Sequence, residues 1–241
     1  MNKVIVFEYD GCDFYGSQRQ SGLRTVQETV ESLLEFMFKK KIEISLASRT
    51  DRYVHARHQV AMFDCPVEIE NTKLIYALNR MIDRDIKFKY AYDAAEEFHP
   101  RFSNSIKTYR YKITYVDDIF TRRYSYYRKN KLDVIKVRGA IKYIVGEHDF
   151  FAFSCRRKDE TTTVRTIYSI DLEESDCGLD IVFRGNGFLY KMVRIIVAYL
   201  IKIGESSIKP EFTVEVFKDK TKKYTKDVAP GCGLILEKIE Y

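Results

Sequence analysis

The sequence predicts an α+β fold made of two halves that each follow the order β-α-β-β-α-β. Short segments in which apolar and polar residues alternate predict strands, and amphipathic segments with helical spacing predict the helices between them. The same order of elements occurs twice along the 241 residues. Because this order is that of a ferredoxin-like unit, we expect two such halves, residues 1–103 and 104–241, whose antiparallel sheets join around a central basic cleft.

Four strands and two helices are expected in the first half. KVIVFEY predicts the first strand, IEISLAS and HQVAMFDC the next two, and IKFKYAY the fourth. Thr25 and Glu28 resemble a capping box at the start of the first helix, and Asn71 is expected to cap the second helix, NTKLIYALNRMI. The apolar residues of the first helix fall on one face: Val26, Val30, Leu33, Leu34, Met37 and Phe38.

The second half repeats the pattern with a longer apolar helix. IKTYRYKITYV predicts a strand over residues 106–116, and a helix is expected over about 132–145, ended by Gly146. TIYSIDL and LDIVFRG predict two further strands. A long apolar helix begins at about Phe188, a shorter one lies near residues 211–218, and GLILEKI predicts the last strand.

Composition restricts the class of protein. The most apolar segment contains Lys191, Arg194 and Lys202, which favours a core helix over a membrane span, and the four apolar residues near the N-terminus are too few for a secretory signal. A cytoplasmic protein is therefore expected. Five scattered cysteines without a CxxC pair favour free thiols over a metal site. The sequence has no GxGxxG, P-loop or GxSxG motif, so a nucleotide cofactor is not expected.

Clusters of positive charge indicate a polyanionic partner. Lysine and arginine outnumber aspartate and glutamate by 41 to 35. The segments TRRYSYYRKNK, CRRK and KDKTKK concentrate this charge, and the first interleaves it with three tyrosines. Cations beside aromatic rings are typical of surfaces that bind looped RNA, although solvated charged loops fit the clusters equally well.

The basic segment from Ser45 to Phe63 contains a single carboxylate, Asp51, near Arg49 and Arg52. Asp51 is either a counter-ion for crowded arginines or a carboxylate that they keep ionised for reaction. On spacing alone a loop ion pair is the more common case, because structural networks of ion pairs show the same residue pattern as active sites.

Two residues of the second half have similar alternatives. Tyr109 begins a stripe of aromatic and apolar residues on one strand face, which is typical of a core, yet it is the member nearest the strand start and best placed to reach a cleft. Arg194 interrupts an apolar helix face. Arg194 either extends its charged end to solvent or enters a cleft to pair with a carboxylate.

Six blocks occur in an order that resembles the TruA-type tRNA pseudouridine synthases. They are EYDGCDFYGSQRQ with RTVQ, SRTDRYVHA, FHPRFSNSIKTYRYKITY, GEHDFFAFSC, VRTI and FLYKMVRIIVAYL, and they run from residue 7 to about 201. The resemblance implies an isomerase without a cofactor or metal that detaches uracil from C1′ of the ribose and reattaches it through C5. It also implies a homodimer that binds the anticodon stem-loop of tRNA and modifies uridine 38, 39 or 40.

The resemblance implies a role for each matching residue. Asp51 is the nucleophile, Arg49 helps to turn the target nucleotide out of its stack, Tyr109 stacks on the uracil, and Arg194 pairs with the catalytic carboxylate. Arg52 is expected to contact the substrate. The residues expected to bind RNA elsewhere are Gln18, Arg19, Arg122, Arg123, Arg156 and Arg157.

Four positions depart from the family pattern. Arg52 and Tyr53 replace a small residue and a glycine, Ser17 replaces a tryptophan, and Ile195 replaces an asparagine. Since a glycine in such a loop often serves a positive φ, Tyr53 is expected to reshape the loop or fill space near the substrate. A descendant that binds RNA without catalysis, or modifies another target, is therefore the alternative hypothesis.

Overall fold

A computed structural model describes residues 2–155 and 162–241. The chain forms two compact units, one of Met1–Asn104 with Ile235–Tyr241 and one of Ser105–Leu234. Each unit combines helices with mostly antiparallel strands. The predicted α+β class is confirmed.

Residues 2–104 of the first unit form four strands and two α-helices. They are β1 (Asn2–Tyr9), α1 (Val26–Phe38), β2 (Ser45–Leu46), β3 (His55–Asp64), α2 (Asn71–Met81) and β4 (Ile86–Asp93). β1 pairs antiparallel with both β3 and β4, and the short β2 pairs antiparallel with the other side of β3. β1 is therefore an interior strand, and its residues from Val4 to Phe7 are almost completely buried.

The two helices of this unit differ in how they begin. Thr25 caps α1 as predicted, because its side chain accepts a hydrogen bond from the backbone N–H of Glu28. The predicted cap of α2 is wrong. Asn71 is the first helical residue, and its side chain instead accepts from Lys3 Nζ at 2.9 Å and donates to Asp93 at 3.1 Å. The amide therefore links the helix to the ends of β1 and β4.

The described residues of the second unit form five strands and three α-helices. They are β5 (Ile106–Thr114), β6 (Tyr126–Tyr127), α3 (Val134–Ile144), β7 (Gly146–Asp149), β8 (Val164–Ser175), β9 (Gly178–Gly185), α4 (Met192–Gly204) and α5 (Thr213–Lys218). β5, β9, β8 and β7 pair antiparallel in that order, and β6 pairs parallel with β5. The sequence did not predict β6 or β7, which are only two and four residues long.

The apolar helix α4 starts later than predicted. The expected start was near Phe188, but Lys191 has a left-handed backbone with φ 61° and the helix begins at Met192. A left-handed residue cannot continue a right-handed helix, so it fixes this boundary. Most of α4 is buried, and none of the helices in the described ranges is long and apolar enough to cross a membrane.

The last strand, β10 (Leu234–Glu240), belongs mainly to the first unit. Its Ile235 and Leu236 pair parallel with residues at the start of β3. The sequence assigned this strand to residues 104–241, whereas its backbone pairing places it beside β3. Such pairing joins parts of the chain far apart in sequence, which local patterns cannot predict.

His58 connects β3 to β10 and to β4. Its Nδ1 lies 3.4 Å from the backbone N–H of Ile239, which donates to it, and its Nε2 lies 3.0 Å from the Tyr90 hydroxyl. Burial lowers the pKa of His58 below its ordinary value, and the positive charges of Lys89 and Lys238 lower it further. The folded protein therefore favours the neutral imidazole.

We expect the free energy of unfolding to fall when the pH is lowered through the ordinary histidine pKa of about 6.5. Below that pH the unfolded state binds a proton at His58 more readily than the folded state does, so protonation favours unfolding. Urea unfolding at pH 7.5 and 5.5 measures this loss, and His58→Gln should make it smaller. An equal loss in the native protein and the variant would contradict the assignment to His58.

Candidate active site

Asp51 lies in the loop of residues 47–54 between β2 and β3, where the sequence predicted it. Its neighbour Thr50 is fixed to Ser17 by two hydrogen bonds. The Ser17 N–H donates to the Thr50 carbonyl at 3.0 Å, and the Thr50 N–H donates to the Ser17 hydroxyl at 2.8 Å. Because Ser17 is fully buried, the backbone beside Asp51 is held by contacts that water does not reach.

The hydroxyl of Thr50 adds a third contact, because it shares a 2.7 Å hydrogen bond with the buried Tyr9 hydroxyl. Two glycines then allow the segment after β1 to lie directly against the loop. A Cβ on Gly11 would lie 2.1 Å from the Val54 carbonyl oxygen, and one on Gly16, where φ is 96°, would lie 2.9 Å from the Thr50 carbonyl oxygen. Larger residues are excluded at both positions.

A tight turn follows Asp51. The N–H of Val54 donates to the Asp51 carbonyl at 3.2 Å, and Tyr53 has a φ of 67°. This is the third position of the turn, which favours glycine when φ is positive. The turn presents Arg52 at the surface, and the guanidinium carbon lies 4.1 Å from the Tyr15 ring centroid and 4.5 Å from that of Tyr53.

Asp51 and Arg49 are both partly exposed. The partly exposed carboxylate of Asp51 is accessible to a substrate, while buried contacts of Thr50 fix the loop that carries it. Oriented but accessible groups of this kind are what nucleophilic catalysis requires.

Next to the loop, Asp10, Cys12 and His55 form a cluster whose potential ligand atoms lie within 4.8 Å of one another. The sequence predicted no such grouping. Two backbone groups donate to the cluster: Cys12 N–H donates to Asp10 Oδ1 at 2.9 Å, and Gly11 N–H donates to His55 Nδ1 at 3.0 Å. Asp10 Oδ1 also lies 3.1 Å from His55 Nδ1, so the protonation of that nitrogen decides whether it donates to Asp10 or accepts from Gly11.

Tyr109 lies on β5 in the second unit. Tyr109, Tyr111 and Ile113 are buried on one face of this strand, as their alternation predicted. The Tyr109 ring meets the Phe188 ring edge to face, with centroids 5.3 Å apart. This contact orients the ring of Tyr109 at the start of the strand.

Arg194 lies in the first turn of α4, also in the second unit. Its Nε donates to the Ala229 carbonyl at 2.7 Å, and the Ala229 N–H donates to the Arg194 carbonyl at 3.1 Å. Tyr111 holds the next residue, because its hydroxyl donates to the Pro230 carbonyl at 2.9 Å. Burial raises the pKa of Tyr111, which keeps this hydroxyl protonated as a donor. The segment after residue 228 thus fixes one edge of the guanidinium group.

The residues predicted to bind RNA lie in different settings. Gln18 and Arg19 are exposed in the first unit, and Arg122 and Arg123 are exposed in a turn of the second unit. Arg19 pairs with the buried carboxylate of Glu31, which raises the pKa of Arg19 through a hydrogen bond. The predicted residues Arg156 and Arg157 lie outside the described part of the chain.

The α+β fold presents a candidate reactive carboxylate, that of Asp51, on a fixed loop between two strands. A profile described as tRNA pseudouridine synthase matches residues 140–241. The chain is also similar to curated proteins along nearly its whole length, as three of them illustrate.

The chain is 38% identical over 236 residues to tRNA pseudouridine synthase A 1 of Bacillus cereus, covering 97% of this chain and 96% of the relative. It is 40% identical over 242 residues to tRNA pseudouridine synthase A of Listeria monocytogenes, with 98% and 97% covered. A third relative, tRNA pseudouridine synthase A of Fervidobacterium nodosum, is 39% identical over 243 residues, with 98% of both chains covered. The protein belongs to the TruA-type tRNA pseudouridine synthase family.

Sequence reasoning missed the residues that hold the loop. Ser17 was noted only as a departure from the family pattern, and Thr50 and Tyr15 were not singled out. The two glycines at positions 11 and 16 gave the one available signal, because glycines before a reactive loop often mark a close backbone approach.

We expect Ser17→Ala to lower the free energy of unfolding by about 1–3 kcal/mol, because it leaves the buried Thr50 N–H without its acceptor. The Thr50 amide should also exchange faster with solvent deuterium, whereas Ser21→Ala at an exposed position of the nearby segment should change stability by less than about 0.5 kcal/mol. Chemical unfolding and native-state hydrogen exchange measure both effects. Equal behaviour of the two variants would show that the Ser17 hydroxyl does not hold the loop.

Proposed function

We propose that this protein isomerises uridine to pseudouridine in the anticodon stem-loop of tRNA, at position 38, 39 or 40. The observation that carries the proposal is the aspartate on a loop fixed by buried contacts, in a chain that matches tRNA pseudouridine synthases over almost its full length. The reaction is an intramolecular transfer, and neither a redox cofactor nor a hydrolytic water appears in its balance.

Asp51 is the proposed nucleophile. During the reaction the Asp51 carboxylate bonds covalently to the nucleotide and the bond between uracil N1 and ribose C1′ breaks. The base then turns, a bond forms between C5 and C1′, and the carboxylate is released. The proton on C5 is lost and N1 gains a proton, so atoms and charge balance. Because the loop beside Asp51 is fixed through Thr50, the carboxylate reaches the nucleotide without first ordering its own backbone.

The other roles follow the matching motifs. Arg49 helps to turn the uridine out of its stack, which costs a few kcal/mol that contacts to the RNA must offset. Tyr109 stacks on the extruded uracil, and its contact with Phe188 supports the required ring orientation. Arg194 pairs with the Asp51 carboxylate, and the hydrogen bond from its Nε to Ala229 supports a fixed direction for its guanidinium group.

Binding of the tRNA backbone is assigned to exposed basic and polar residues. Phosphate contacts position an RNA without reading its sequence, and each one makes the affinity more sensitive to salt. The proposed contacts are Gln18, Arg19, Arg52, Arg122, Arg123, Arg156 and Arg157. For Arg19 the ion pair with Glu31 supports an additional structural role.

The architecture that we propose has two ferredoxin-like halves whose sheets join around a basic cleft. In the first half, the element order and the antiparallel pairing of β1 with β3 and β4 support this description. Assembly as a homodimer and a cytoplasmic location remain predictions from the family resemblance and the sequence.

A second candidate function is binding of RNA without catalysis, or modification of another target. It is favoured by one observation, the replacement of a small residue and a glycine by Arg52 and Tyr53 directly after Asp51. The same experiment separates the two candidates, because only one of them predicts turnover.

We expect the purified protein to release tritium from unmodified tRNA that carries tritium at uracil C5, without added metal or nucleotide. Asp51→Asn should reduce the rate roughly 10⁴-fold or more while the tRNA remains bound, because removal of a nucleophile abolishes the chemical step. Asp117→Asn, at an exposed aspartate, is the matched control and should retain the native rate.

Tritium release by the native protein and the control, but not by Asp51→Asn, would establish the isomerase and the aspartate on which it depends. Tight binding without release from any of a panel of tRNAs would instead support the second candidate function.

A further inference from the structure

An exposed stack of one arginine and two tyrosines lies beside the proposed nucleophile. It consists of Tyr15, Arg52 and Tyr53, and we call it the Tyr15–Arg52–Tyr53 stack. The guanidinium group lies over both rings, at 4.1 Å from Tyr15 and 4.5 Å from Tyr53. The two tyrosines are nevertheless 38% and 41% exposed. Aromatic surface and positive charge are thus presented together to solvent.

The charge of Arg52 is not neutralised by an ion pair with a carboxylate of residues 2–155 or 162–241. Other surface arginines differ in this respect, since Arg19 pairs with Glu31 and Arg24 with Asp85. A guanidinium group that contacts aromatic rings still has N–H groups that can donate to a phosphate. The stack therefore has the chemistry to bind a nucleotide.

The backbone of Tyr53 gives an independent reason to look for a function. Its φ of 67° is in the left-handed region, where a side chain is strained and glycine is favoured. The side chain is 41% exposed, so only part of its surface packs in a way that offsets this strain. Residues held in a strained backbone conformation cluster at functional positions.

We propose that the Tyr15–Arg52–Tyr53 stack binds an unpaired nucleotide of the RNA substrate that neighbours the target uridine. The Tyr53 ring stacks on the base, and Arg52 contacts the adjoining phosphate. Tyr53 is two residues from Asp51, so a base on its ring is a near neighbour of the reacting nucleotide. This inference rests on the proposed function and adds a subsite that favours RNA with an unpaired nucleotide beside the target uridine.

The competing explanation is that the stack only stabilises the turn from Asp51 to Val54. That explanation makes a different prediction for Tyr53→Gly. Glycine removes the strain of the left-handed backbone and also removes the ring. If the ring binds RNA, the variant gains thermal stability and loses RNA affinity, whereas a purely structural ring would make the variant less stable.

The affinity experiment uses a synthetic anticodon stem-loop RNA and proteins that carry Asp51→Asn, so that binding is measured without turnover. Tyr53→Leu should weaken binding roughly 5- to 150-fold, the range expected when one base–aromatic stack is lost. Tyr53→Phe keeps the ring and should bind almost as the parent does.

Tyr76→Leu is the matched control for the leucine variant. Tyr76 is 66% exposed on α2 and also lies near an arginine, with the Arg80 guanidinium 5.8 Å from its ring centroid. Its loss should leave RNA affinity within about twofold of the parent, because the expected effect of an exposed substitution away from a site is below about 0.5 kcal/mol.

An abasic scan of the loop nucleotides identifies the base that is bound. One abasic position should weaken binding to the parent protein and cause no further loss with Tyr53→Leu, because the stack is already absent. The inference would be overturned if, at every loop position, the abasic substitution weakened binding equally in the parent and in Tyr53→Leu. It would also be overturned if Tyr53→Leu bound the RNA as tightly as Tyr76→Leu does. A loss of both stability and affinity in Tyr53→Gly would overturn it as well.

The failure of this inference is distinguishable from failure of the proposed function. Tritium release by the native protein tests only the isomerase. Release together with unchanged binding by Tyr53→Leu would reject the subsite and retain the enzyme.

Discussion

The geometry of the candidate site depends on two reciprocal hydrogen bonds between Ser17 and Thr50. These residues are 33 positions apart in the chain, and the bond between the Thr50 N–H and the Ser17 hydroxyl is buried. A short loop between two strands would otherwise sample several conformations, at a cost whenever substrate bound. The two hydrogen bonds restrict the backbone conformation of Thr50, the residue next to Asp51, so the carboxylate is positioned before the RNA arrives.

The close approach of the segment around Gly11 and Gly16 makes these two hydrogen bonds possible. Ser17, which the sequence comparison with the family pattern marked as a departure, is a small residue that is fully buried and bonded to Thr50. The loop is therefore fixed here by polar contacts. The departures immediately after Asp51 differ from that of Ser17. Arg52 and Tyr53 are large residues at the surface, and Arg52 adds a positive charge there.

Local signals predicted much of the fold. The cap of α1 by Thr25 could be predicted because its partner, Glu28, is three residues away. Asn71 was misassigned because Lys3 and Asp93, both far away in sequence, engage its side chain. Motif order identified Asp51, Tyr109 and Arg194 as candidates. The contacts of Ser17 with Thr50 could not be predicted, since they depend on the folded chain. Tyr53 has the positive φ that a glycine at its position favours, and the sequence had indicated this possibility.

Trapping a covalent adduct between the RNA and Asp51 tests the proposed nucleophile most directly. An anticodon stem-loop RNA with 5-fluorouridine at the target position has no C5 proton to lose, so attack by the nucleophile should leave the RNA attached to the protein. Intact mass measurement followed by proteolysis should place the bond on the peptide that contains Asp51. Attachment at another residue, or normal turnover of tritiated tRNA by Asp51→Asn, would contradict the assignment of the nucleophile.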